Sequence, residues 1–288
     1  MPLRRRLSLL LASVFVTEAV AAAVLPVRPV HDRPAAATLS VPPSDPAATI
    51  SLIGDRVVRL VSLDGAGTDR LLSRVASEIG ASIDAVVGFW GADWSHEISV
   101  VAAGSDEQFR AAAGGGPPSQ WADIAAVTVV DRVDPASRSV VNPRIVFAPG
   151  AAGMSAGALR IVLTHELFHY AARADTAMNA PRWLTEGVAD FVARPQGQLP
   201  ADAASAALSL PSDQDLDTPG PQRSLAYDRV WWFARFVADA YGPTKLRALY
   251  AAACGVGHSD LPTAFRGVLG VDSAGLLERW QQWMATQS

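Results

Sequence analysis

The residues best suited to chemistry lie within five positions, His165-Glu166-Leu167-Phe168-His169, inside the run LRIVLTHELFHYAAR. Neither Pro nor Gly interrupts Leu159 to Arg173, and the run is rich in Ala, Leu, Ile and Arg, so it is expected to form one helix. On a helix, two histidines four residues apart stand one turn apart on the same face and can grip a single metal ion. Zinc accepts such imidazole ligands, and Glu166 beside them can take a proton from a water that the metal polarises. The plain alternative is a chance pattern on a buried helix. A third ligand separates the two.

Two residues compete for that place. Asp175, six residues beyond His169, requires the chain to turn back at once, and Ala172 stands where that turn needs a glycine. Without the glycine the helix should continue and carry Asp175 away. Glu186 lies in PRWLTEGVADFVAR, where Pro181 suits the first turn of a helix and only Gly187 interrupts before Pro195. After a short turn near 175–180, a helix returning antiparallel brings Glu186 level with the histidines. Asp190, one turn further on the same face, is placed to accept the other ring hydrogen of a ligating histidine. Two carboxylates among Trp183, Leu184, Val188, Phe191 and Val192 fit a buried site better than a solvated pair. The reading is His165, His169 and Glu186 as zinc ligands, one ion per chain, with Glu166 as general base and Asp190 behind them.

The elements that must hold these residues follow from the rest of the chain. Its 288 residues are 50% hydrophobic and 18% charged, ample for a core and too apolar for a disordered protein. Residues 1–23 read as an export signal: Arg4-Arg5-Arg6, an apolar stretch from Leu7 to Val16 too short to span a bilayer, then Ala-rich cleavage patterns. The alternative is an uncleaved anchor from Leu7 to Leu25, against which Glu18 in its middle argues. The expected location is therefore secreted or associated with the cell envelope, with no stable membrane span after cleavage. Removing Arg4, Arg5, Arg6 and Glu18 from the 24 basic and 28 acidic residues leaves 21 and 27, a formal charge of −6. That balance argues against nucleic acid as a partner. With one cysteine, Cys254, the chain forms no internal disulfide and no cysteine-based zinc finger.

Residues 24–48 are rich in Pro and Ala without periodicity and read as a tether. From 49 to 157 strand-like and helix-like pieces alternate. Strands are expected at 50–53, 57–63, 98–102, 124–130 and 140–147, with helices over 69–87 and after Ser105. From 158 to 288 helices dominate, read as 158–174, 181–193, 224–241, 244–253, 259–268 and 273–286. The stretch 195–223, with five prolines and four aspartates, reads as a long surface loop. The fold class is α+β: a sheet-containing amino-terminal part and a mainly helical carboxy-terminal part of one catalytic domain, 49–288.

HELFH followed by PRWLTEGVADFV resembles the gluzincin metallopeptidases, in particular the exported bacterial peptidase MA-like family, in which HExxH is joined by a downstream W-L-x-E-G-x-A-[DE]-[FY] helix. Similarity continues at YDRVWWFARFVADAYGPTKLRALY (227–250), so that it spans about 95–285 and is specific in the two metal-binding helices. The resemblance implies a zincin-like fold and a zinc-dependent peptidase acting on peptide or protein substrates. It implies zinc on His165, His169 and Glu186, Glu166 as catalytic base, and Asp190 orienting a ligand. The Gly-Ala-Met-Glu-Asn segment of the aminopeptidase branch is missing from this chain. The competing reading is a catalytically silent module of the same fold that binds peptides or envelope partners.

Three ligands leave a fourth position open, the catalytic pattern. An oxyanion would need a further donor, for which Tyr227 is the candidate, with His258 and Tyr241 behind it. The stretch 140–147 is the candidate strand to hold an extended peptide. His96-Glu97 reads as surface polarity, the tryptophan pairs 231–232 and 280–283 as packing, and Cys254 as a buried small residue.

Overall fold

The computed structural model describes residues 47–134, 137–200, 203–218 and 220–287. The expected export signal and all but the last two residues of the expected tether lie outside these. Among the described residues no helix is long and apolar enough to cross a membrane.

Strands β1 (Ala47–Ile53) and β2 (Arg56–Ser62) form the expected antiparallel hairpin, with Gly54 at φ 61 in its turn. Helix α1 (Ala66–Trp90) follows, and then β3 (Glu97–Ala102), parallel to β2. The apolar positions Leu71, Leu72, Val75, Ile79, Ile83 and Val86 recur at helical spacing and bury one face of α1. Ser105 caps α2 (Asp106–Ala112) by accepting from the Gln108 amide, and the short α3 (Pro118–Trp121) follows the glycine run. Next come β4 (Ala126–Val129), the ribbon of β5 (Arg132–Asp134) and β6 (Ser139–Val141), and β7 (Arg144–Phe147).

The five-stranded sheet runs β1-β2-β3-β7-β4. This order corrects one expectation. The stretch 140–147 is not one strand: Asn142, at φ 56, and Pro143 break it into β6 and β7. β7 is paired on both sides, parallel to β3 and antiparallel to β4, so its main-chain groups are spent inside the sheet. It cannot receive a peptide. The edge strand beside it is β4, whose four residues are buried.

The rest is helical: α4 (Ala156–Ala172), α5 (Arg182–Ala193), the short α6 (Asp213–Asp217), α7 (Pro221–Tyr241), α8 (Pro243–Cys254), α9 (Leu261–Ala264) with a π-helical turn at 265–269, and α10 (Ser273–Gln287). Helix α7 starts three residues earlier than expected because Pro221 occupies its first turn, where a missing N–H costs nothing. A single apolar core runs from Val58 in the sheet through α1, α4, α5 and α7 to Met284 in α10. A smaller core of Val101, Val127, Val146, Phe109 and Trp121 closes the other face of the sheet under α2 and α3. The fold is mixed α/β, sheet first and helices after.

Candidate metal centre

Helix α4 begins at Ser155, whose hydroxyl accepts from the Ala158 amide, and from Val162 onward all its residues are buried. A helix apolar all round belongs in the middle of a protein, and α4 packs between α1, β4 and α5. The polar side chains it carries inward need partners, since an unpaired buried polar group costs free energy. Thr164 finds Ser82 of α1 at 2.9 Å. Glu166 finds Thr128 of β4, whose hydroxyl is 2.8 Å from both the Glu166 carbonyl and its Oε2. The other carboxylate oxygen, Oε1, is buried with no hydrogen-bond partner.

Helix α5 returns after a short turn, its first free amide at Trp183 capped by the Asp213 carboxylate at 2.7 Å. The stretch 195–223 thus does more than line a surface. It contains α6, opened by a Ser212/Asp215 capping box, and helps to fix the start of the helix that carries Glu186. Glu186 is fully buried, and neither of its oxygens accepts a hydrogen bond. Its oxygens stand 3.4 Å from His165 Nε2 and 3.5 Å from His169 Nε2, and the two ring nitrogens are 3.0 Å apart. Donors about 2.1 Å from one tetrahedral centre lie about 3.4 Å from each other, the edge of the tetrahedron. The donor atoms of these three residues, all within 4.8 Å of one another, match that spacing, and a buried carboxylate without hydrogen bonds is what a cation would satisfy. The set of two imidazoles and one carboxylate fits zinc.

Asp190 lies one turn beyond Glu186, its Oδ1 2.9 Å from His165 Nδ1. With the proton held at Nδ1, Nε2 is left with its lone pair toward the other donors. Burial disfavours the His165 cation, but Asp190 and Glu186 outweigh it and push the metal-free ring up to about 10. Burial raises the Glu166 carboxyl to about 7 against the pull of His165 and His169. For Asp190 burial acts upward too, yet Arg194 and His165 hold it below the usual carboxylate range.

Tyr227, on the second turn of α7, is 3% exposed. Burial first, and then the charge of Glu186, push its phenol well above the usual tyrosine range. The approach of α7 depends on Gly187. A Cβ there would stand 2.5 Å from the Val230 carbonyl oxygen and 2.9 Å from its carbon, backbone atoms that cannot swing aside. Gly187→Ala is therefore expected to push α7 off α5 and lower stability by about 2–3 kcal/mol. In a domain of this size that is roughly 4–12 °C in melting temperature. Gly157→Ala in the first turn of α4, where an added Cβ meets nothing, is the control and should cost nothing. Equal melting temperatures for the two variants would show that the close approach is not needed.

The other candidates fall elsewhere. Asp175 accepts from Arg138 at 2.6 and 3.0 Å and is held away from the histidines. Tyr241 ends α7, fourteen residues and about 21 Å of helix beyond Tyr227, with its hydroxyl 3.1 Å from Arg279. His258 lies in the loop after α8, with Nδ1 2.9 Å from the Ser259 carbonyl. His96 is an exposed partner of Asp55, and Cys254 is buried. Two contributors, Thr128 and Arg194, went unread in the sequence. Thr128 acts across 38 residues and nothing local marks it, whereas Arg194 stands four residues beyond Asp190, the helical spacing of an acid–base pair.

No protein-family model matches the chain, and no curated protein matches it in sequence.

Proposed function

We propose that the chain is an exported zinc-dependent metallopeptidase of gluzincin type, with a zincin-like catalytic domain over 49–288. The observation that carries this reading is the convergence of His165, His169 and Glu186 in the buried interior, directly beside a carboxylate that is not one of the three. When bound, zinc supplies a Lewis acid that polarises a carbonyl and lowers the pKa of a water to about 7. His165, His169 and Glu186 hold the ion, and Asp190 fixes the tautomer of His165.

Glu166 acts as the base. Thr128 holds Oε2, which leaves Oε1 to take a proton from the attacking water and then deliver it to the leaving amine. Burial raises its carboxyl above the ordinary carboxylate range, which favours the protonated form that serves the leaving amine. Tyr227 keeps its proton, because burial and Glu186 both disfavour the phenolate, so its hydroxyl remains a donor for a developing oxyanion. The export signal of residues 1–23 puts the enzyme in the envelope or outside the cell.

Elemental analysis of the purified full chain after refilling with zinc is expected to find about one zinc per molecule. A fluorogenic peptide library should then be cleaved, with cleavage stopped by a chelator and restored by zinc. A chain that takes up zinc but cleaves nothing would sink the peptidase reading and favour a silent peptide-binding module. A chain that takes up no zinc would remove both metal and mechanism.

A further inference from the structure

The links from His165 do not end at Asp190. Arg194, the residue that terminates α5, sends one guanidinium nitrogen to Asp190 Oδ2 at 2.9 Å and another to Asp228 Oδ1 at 2.9 Å. Its guanidinium carbon lies 5.0 Å from the ring centre of Trp231, one turn of α7 beyond Asp228. Asp228 in turn is the neighbour of Tyr227. A continuous chain, His165–Asp190–Arg194–Asp228, therefore joins the ligand helix α4 through α5 to the turn of α7 that carries the candidate oxyanion donor.

The Asp190 link is better made than an exposed ion pair, which is worth little because water screens it and two long side chains must be ordered. The side chain of Asp190 is 5% exposed and that of Arg194 is 16% exposed. The planar fork of arginine bridges two carboxylates at once, which the single ammonium of lysine does with less geometric control. With Arg194 at ion-pair distance from one oxygen and His165 at hydrogen-bond distance from the other, rotation of Asp190 away from the imidazole is opposed.

We propose that Arg194 is a positioning residue of the metal centre: with Asp228 it clamps Asp190, so setting His165 for the metal and registering the Tyr227 turn of α7 against the same site. The inference rests on the zinc reading given above. It assigns Arg194 and Asp228 a share in metal affinity that neither could have as plain helix-to-helix fasteners.

The test is zinc affinity, measured on the full chain by competition with a chromophoric chelator, beside the melting temperature of the metal-free protein. Outer partners of metal ligands contribute about 10–100-fold to affinity, so Arg194→Met, which keeps an apolar stem against Trp231, should weaken zinc binding by that factor. Arg194→Lys should recover part of the loss, and Asp228→Asn, which spares the Asp190 contact, should lose less than about tenfold. The cobalt-substituted form should show an altered visible spectrum in Arg194→Met. A fastener alone would lower the melting temperature and leave zinc affinity and the cobalt spectrum as they are. Zinc affinity within twofold of native in Arg194→Met overturns the proposal. Should that variant not fold, native affinity in both Arg194→Lys and Asp228→Asn overturns it equally. A native chain that binds no zinc removes the metal reading first and this inference with it, so the two failures are distinct.

Discussion

Glu186→Ala is expected to bind zinc more than about 100-fold more weakly than the native chain. The bound has a physical basis: the loss of an outer partner costs about 10–100-fold, and a ligand is closer to the ion than its partner. Glu186 is also the only one of the three ligands that brings a negative charge, and it has no other buried donor to satisfy. Thermal unfolding reads the effect directly. Zinc at 1,000 times the native dissociation constant adds about 4.1 kcal/mol to the native fold, roughly 8–16 °C for a domain of this size. At the same concentration the variant, with at most about a tenfold excess over its own constant, gains no more than about 1.4 kcal/mol. Asp175→Ala is the matched control, since Asp175 is engaged with Arg138 and should leave the zinc-induced shift whole. An equal shift in Glu186→Ala and native, or a lost shift in Asp175→Ala, would show that the third ligand is misassigned.

The approach of His165, His169 and Glu186 was legible because its geometry is set by short spacings. Four residues on one helix fix two imidazoles on a face, and two breaker-free segments of known length fix how far an antiparallel return can reach. Asp190 follows from Glu186 by the same arithmetic. What the sequence hid is what depends on the order of strands. Which strand ends as the free edge is decided by how the β3–β7 connection wraps, and 140–147 looked like a candidate only because it precedes α4 in the chain. One local sign was there, the Asn142-Pro143 pair in the middle of the run, which marks a break in a strand. Likewise Ser212 with Asp215 signalled a helix start within what read as loop. Arg194 had a sign too, its i,i+4 spacing from Asp190, but Thr128 had none. Thr128 meets Glu166 across 38 residues, through a pairing that exists only once β4 lies over α4. Tyr241, a reserve candidate for the oxyanion donor, ends α7 about 21 Å of helix from Tyr227.

Glu166→Gln should keep the zinc and lose the reaction. The amide has the size of the carboxyl, and its oxygen can accept from Thr128 as Oε2 does now, so packing beneath the metal centre need not change. Its nitrogen has no lone pair with which to take a proton, and that removes the base from the position where Oε1 now lies unpartnered. Proton transfer by a positioned side chain contributes about 10²–10⁴-fold, so turnover should fall by that factor while zinc per chain and the dissociation constant stay within twofold of native. Glu166→Asp gives a second reading of the same geometry. It keeps the carboxylate but draws it back by one methylene, away from Thr128 and from the donors, so it should retain zinc and an intermediate rate. Two results would break the assignment. A glutamine variant that turns over at more than about a tenth of the native rate places the base elsewhere. A glutamine variant that loses its zinc makes Glu166 a ligand, and the role of Glu186 would then have to be reconsidered from its own variant.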